Sequence, residues 1–130
     1  MQCSMILITH DFGVAHQIAD RIAVMYCGQV VEVGKAEEIL NHPKHPYTKG
    51  LIDALPSRGF HVMEGFMPSF SELPEGCRFA PRCSKCLERC RHEIPRMYEA
   101  GDRRQVRCFL FEESRAVYRS PCVEEAIFNA

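Results

Sequence analysis

The chain has 130 residues, 46% of them hydrophobic and 25% charged, with a formal net charge of −1. That size suits one ordinary domain or two small pieces, and the composition excludes an intrinsically disordered chain. No apolar run approaches the ~18 residues of a membrane span, and Met1-Gln2-Cys3-Ser4 lacks the basic-then-apolar pattern of a signal peptide. A cytosolic chain is expected, with any membrane association coming through a partner.

Ser4-Met5-Ile6-Leu7-Ile8-Thr9 is a short apolar run ending at His10-Asp11, the pattern of a strand buried on both faces of a parallel sheet. Asp11 is suited to cap a helix over residues 12–19, with Val14, Ile18 and Ala15 facing inward. Arg21–Tyr26 and Gln29–Val33 flank Cys27-Gly28 and predict a β-hairpin, Gly28 supplying the positive φ. Gly34 is expected to break the second strand before a short helix over 36–40. The two prolines of His42-Pro43-Lys44-His45-Pro46 mark a turn. Tyr47–Leu55 follows as a helix with Leu51, Ile52 and Leu55 at helical spacing, stopped by Pro56.

From 57 to 75 the periodicity is lost, and Gly59, Gly65, Pro68 and Pro74 read as an irregular linker. Beyond it lies a cysteine-rich segment, and a short helix is expected near Val123–Phe128. The chain holds eight cysteines, and in a reducing compartment clustered cysteines bind metal more often than they form disulfides. Between Cys77 and Cys108 nine Lys/Arg stand against four Asp/Glu. These cations are expected to favour deprotonated thiols. Residues 1–55 supply too few helices and strands to cover a doubly buried first strand, so most of its sheet is expected to lie upstream.

His10 sits past the carboxyl end of that strand, where α/β sheets bind ligands. Ile6-Leu7-Ile8-Thr9-His10-Asp11, Ala19-Asp20-Arg21-Ile22-Ala23-Val24-Met25 and Gly28-Gln29-Val30-Val31-Glu32 together resemble the end of ABC transporter ATP-binding domains. The resemblance implies that His10 is the switch histidine, which contacts the γ-phosphate of ATP and helps orient the attacking water. Positioning and charge stabilisation are most of what phosphoryl transfer needs. The sequence contains no Gly-x-x-x-x-Gly-Lys-Ser/Thr phosphate loop and no Leu-Ser-Gly-Gly-Gln type signature. The chain alone is therefore expected to bind ATP weakly or not at all and to show no ATPase activity.

Asn41-His42-Pro43-Lys44-His45-Pro46-Tyr47-Thr48-Lys49-Gly50-Leu51-Ile52, closed by Ala54-Leu55-Pro56, resembles the C-terminal extension of oligopeptide, dipeptide and nickel importer ATPases. The block reads as a rigid turn into a packed helix that Thr48 can help cap, with His45 and Tyr47 as packing and hydrogen-bonding groups. The resemblance runs on through Gly65–Ser69 and Leu73–Cys83 to Cys90 and Cys108-Phe109-Leu110. It places the family's four cysteines on Cys77, Cys83, Cys90 and Cys108. Four thiolates can close a zinc site or hold a [4Fe–4S] cluster, and the resemblance implies the cluster, with zinc as the alternative. Cys86, which makes Cys83-Ser84-Lys85-Cys86 a tight pair, is additional to that pattern; Cys3, Cys27 and Cys122 read as ordinary small residues.

The expected fold class is an α/β remnant: the C-terminal end of a P-loop, ABC-type nucleotide-binding domain over 1–56, a linker over 57–75, a small irregular cysteine-rich metal-binding extension over 76–110 and a tail over 111–130. The resemblance implies ATP and Mg²⁺ in the complete domain at the cytoplasmic face of the membrane. The implied partners are a second ATP-binding subunit, two transmembrane permease subunits and, indirectly, a peptide-binding protein. A free-standing cysteine-rich metal module, structural or redox-active, is the competing reading. Nucleic-acid binding by the basic segment is a weaker one, because it lacks a recognition helix and stacking aromatics.

Overall fold

The computed structural model describes residues 3–112, so the helix expected near Val123–Phe128, and Cys122, lie outside the described residues. The chain's organising element is the expected hairpin. Strand β1, Arg21–Tyr26, pairs antiparallel with β2, Gln29–Lys35. Tyr26 faces Gln29, which leaves only Cys27 and Gly28 in the loop. Both have positive φ, 46° and 76°, the arrangement of a two-residue turn whose twist matches the strands.

The register slips between Val24 and Met25, leaving Val31 as a bulge. The bulge frees the Val31 carbonyl, which accepts from Arg107 N at 2.7 Å. On its other edge β2 pairs with β4, Gln105–Val106, which in turn pairs with β3, Tyr98–Glu99. The sheet order is β1-β2-β4-β3, with every pairing antiparallel. The cysteine-rich segment thus completes the sheet that the hairpin begins. Being covered on both faces, β2 is buried from Val30 through Gly34 without alternation.

Several expectations are corrected. Residues 4–9 form no strand, and Met5, Ile6, Leu7 and Ile8 are exposed, Ile8 at 93%. A doubly buried strand exists only when neighbours supply both ladders, and no described residue pairs with this one. Helix α1, Phe12–Ile18, is capped as expected, with Asp11 Oδ1 accepting from Val14 N at 3.1 Å. Its inward face, however, is Phe12 and Ala15, continued by Ala19, while Val14 and Ile18 point to solvent. Gly34 lies inside β2 rather than ending it. A side chain there would meet Arg104 Cγ at 3.1 Å, so the glycine gives the arginine room to cross the strand.

Helices α2, Ala36–Asn41, and α3, Pro46–Asp53, stand where expected. Ala36, Ile39 and Ile52 are buried from these helices, and Leu51 packs against the main core. The N-cap of α3 is His45, whose Nδ1 accepts from Tyr47 N at 3.0 Å; the Thr48 hydroxyl is instead buried without a partner among the described residues. The main core gathers Ile22, Val24, Tyr26, Val31, Ile39 and Phe79, and a second cluster gathers Ala80, Cys90, Tyr98 and Phe109. Tyr26, Tyr47 and Phe79 meet with ring centroids 4.6–5.5 Å apart, joining hairpin, α3 and cysteine-rich segment by edge and tilted contacts.

One charged group sits within this packing. Glu32, on β2, is fully buried. Its Oε1 accepts from Arg104 Nη2 at 2.6 Å and Nε at 3.2 Å and from Lys44 N at 3.0 Å, and its Oε2 accepts from His45 N at 3.0 Å. Arg104, 4% exposed, also donates to the His42 carbonyl. A buried ion pair returns its desolvation cost only when the remaining donors and acceptors are satisfied, as they are here. Truncation at Glu32→Ala should cost about 3–5 kcal/mol, because it strands a buried guanidinium and two backbone N–H groups. The urea midpoint of the variant against the parent chain checks this; a change below about 1 kcal/mol refutes it.

Candidate functional site

Two sets of residues carry chemistry. His10 lies at the end of the exposed apolar segment, just before the α1 cap, and is itself exposed. The Asp11 N–H donates to Thr9 Oγ1 at 3.0 Å, which turns the chain immediately around it. Among the described residues His10 has no hydrogen-bond or ion-pair contact, so its side chain faces outward at the edge of the fold.

The second set is enclosed. Cys77, Cys83, Cys90 and Cys108 line one small cavity together with His45, Phe79, Pro95 and Phe109. Its open space is about 10 Å³, room for roughly one water-sized sphere. The convergence has a backbone cause. Cys77 N donates to the Cys90 carbonyl at 2.7 Å, and 3-10 turns at Ala80–Arg82 and Glu88–Arg91 fold Cys83 and Cys90 back toward it. Cys108 is brought in by β4 and by the Arg107 bond to the bulge. Among the described residues, no group of three or more His, Cys, Asp or Glu side chains is arranged to hold a metal ion. The thiols share a cavity without yet facing a common centre.

Their acidity differs from the expectation drawn from local charge. Burial pushes the Cys77 and Cys83 thiols up, and Cys108 is pushed up to about 11, with neighbouring thiols adding to each shift. Burial outweighs the nearby cations at these thiols, and many of those cations also reach other groups. Arg78 donates to the Cys27 carbonyl, and Arg82 to the Glu64 carbonyl at 3.2 Å. Arg107 reaches the Val30 carbonyl at 3.0 Å and the Pro95 carbonyl at 3.2 Å. Arg89 pairs with Glu93 and Glu112, and Arg104 with Glu32. The basic excess fastens segments together instead of ionising thiols.

Sequence reasoning missed Glu32 and, for His45, the place beside the cysteines, though not its packing and hydrogen-bonding character. Glu32 is a lone acid inside Val30-Val31-Glu32-Val33, and that interruption of an apolar run was its available signal. His45 is 2% exposed, caps α3, packs on Phe79 with centroids 5.7 Å apart and forms part of the wall of the cysteine cavity. The proximity of residue 45 to the cysteines arises from tertiary folding, for which the linear spacing gives no sign.

Residues 31–90 match the family described as the oligopeptide/dipeptide transporter C-terminal region. Over those residues the chain is similar to the C-terminal region of peptide-transporter ATP-binding proteins. It is 44% identical over 118 residues to an oligopeptide transport ATP-binding protein of Bacillus subtilis, covering 87% of this chain and 36% of the relative. Two dipeptide transport ATP-binding proteins of Haemophilus influenzae are similar too. One is 41% identical over 110 residues (81% of this chain, 33% of the relative), the other 38% over 112 (82% and 34%). The chain thus spans about a third of the length of the curated relatives it matches. Among the described residues no helix is long and apolar enough to cross a membrane.

Burial lowers the His45 pKa to about 4. The folded state therefore holds a neutral imidazole where the unfolded chain, near 6.5, takes up a proton. Stability contributed by this group is complete above about pH 6.5 and is lost as pH falls toward 4, a change of about 3 kcal/mol in all. Urea unfolding at pH 7, 5.5 and 4 should show that decline, and His45→Asn, which keeps a capping acceptor, should flatten it. An equally steep decline in the variant overturns the assignment.

Proposed function

We propose that this chain is the C-terminal end of the ATP-binding subunit of an importer of oligopeptides or dipeptides, working at the cytoplasmic face of the membrane. The observation that carries this reading is the 44% identity to an oligopeptide transport ATP-binding protein across 87% of the chain. The exposed apolar run Met5–Ile8 supports it, since such a surface suits the interior of a larger sheet. ATP and Mg²⁺ belong to the complete domain, because the phosphate-binding loop is not within these residues. In that setting His10 contacts the γ-phosphate and orients the attacking water, within a pair of ATP-binding subunits that drives two permease subunits and receives peptide indirectly from a binding protein. In the whole subunit His10→Ala should lower ATP turnover about a hundred-fold, the scale of losing one group positioned at the reacting centre, while nucleotide still binds. Turnover within a factor of two of the parent removes His10 from the chemistry.

We further infer that Cys77, Cys83, Cys90 and Cys108 hold a metal, either an iron–sulfur cluster or zinc. The support is their common cavity and the donor set of four thiols. Binding would require the thiols to turn toward one centre and release their protons. The metal's contribution would be structural, tying 77–108 together. Anaerobically purified chain should carry stoichiometric zinc, or iron with sulfide and a brown colour. Only trace metal, unchanged by Cys90→Ser, refutes the site.

A further inference from the structure

Five cysteines lie in the segment between 77 and 108, one more than the four that line the cavity. The fifth, Cys86, packs beside the Cys90, Tyr98 and Phe109 cluster, and its thiol donates to the Leu87 carbonyl at 3.4 Å. It is joined to Cys83 by a tight turn: Cys86 N donates to the Cys83 carbonyl at 3.4 Å, with Ser84 and Lys85 exposed at the tip. The ends of such a turn lie within about 7 Å of one another, and disulfides span Cα separations of about 4.4–6.8 Å. Both cysteines are half-buried and free, whereas Cys90 is buried. The pair therefore combines proximity with access to a dissolved reagent.

We propose that Cys83 and Cys86 form a reversible disulfide, made by exchange with a small-molecule disulfide of the glutathione type, which withdraws Cys83 from the thiols around the cavity. The Cys86 sulfur, outside the cavity lining, gives up its proton and attacks one sulfur of the oxidant. The oxidant's S–S bond breaks, a mixed disulfide forms on Cys86, and one small thiol leaves with a proton. The Cys83 sulfur then gives up its proton and attacks the Cys86 sulfur; the Cys83–Cys86 bond forms as the second small thiol departs. Two protein thiols are oxidised and one small-molecule disulfide is reduced to two thiols, so electrons and protons balance. In the oxidised form the cavity keeps Cys77, Cys90 and Cys108 but lacks its fourth free thiol. The proposal stands on the turn and its two thiols and does not require the metal reading.

The test uses the full chain, reduced and treated with chelator, then equilibrated with oxidised and reduced glutathione in varied ratio and alkylated. Trypsin cuts after Arg82, Lys85 and Arg89, so the bridge would tie Cys83-Ser84-Lys85 to Cys86-Leu87-Glu88-Arg89. The expected result is that linked pair as the dominant disulfide, the loss of two free thiols, and reversal by excess reduced glutathione. Cys86→Ser and Cys86→Ala should both abolish it and leave Cys83 free or glutathionylated. A dominant bridge at any other pair, or no protein disulfide under conditions that glutathionylate the exposed thiols, overturns the proposal.

Discussion

Glu32 places a carboxylate in the middle of an apolar strand, and three separate parts of the chain answer to it. Lys44 and His45 donate backbone N–H groups from the proline-flanked turn, and Arg104 donates its guanidinium from the cysteine-rich segment. These bonds converge on one carboxylate, so hairpin, turn and distal segment settle together. Gly34 and the bulge at Val31 serve the same arrangement. The first clears the path of Arg104, and the second turns a carbonyl toward Arg107. The aromatic contacts of Tyr26, Tyr47 and Phe79 add apolar cover to a framework whose directionality comes from these polar bonds.

The cysteine cavity depends on that framework. Cys108 reaches it because Arg107 is fixed to β2, and His45 forms its wall because the Glu32 carboxylate holds the turn. Arginines that a linear reading would assign to charge balance are spent on carbonyls of distant segments. The thiols are left in apolar surroundings that favour their protonated form. Metal binding there would compete with protons, and its affinity would rise with pH.

Local chemistry was legible in the sequence. A two-residue Cys27-Gly28 loop between β-rich runs admits little besides a hairpin, and Asp11 marks a helix start because a cap acts over three or four residues. Residues 4–9 depart from the expected strand because an apolar run becomes one only where partners complete its ladders. In α1 the apolar residues fall on more than one side of a seven-residue helix, and packing on the main core chose Phe12 and Ala15 over Val14 and Ile18. The resemblance named the four cysteines, but that His45 would stand among them depends on pairings made across long stretches of chain. Residue spacing carries no record of those pairings.

The bond between Glu32 and Arg104 spans 72 positions, which bears on how the polypeptide matures during synthesis. A ribosome extends a chain by about 5–20 residues each second, so the early acid waits several seconds before its guanidinium counterpart has been made. Throughout that interval the β2 edge is unsealed and available to β-partners from other nascent chains. Chaperone occupancy during translation should therefore peak once the hairpin has emerged and fall when residues 104–107 clear the exit tunnel.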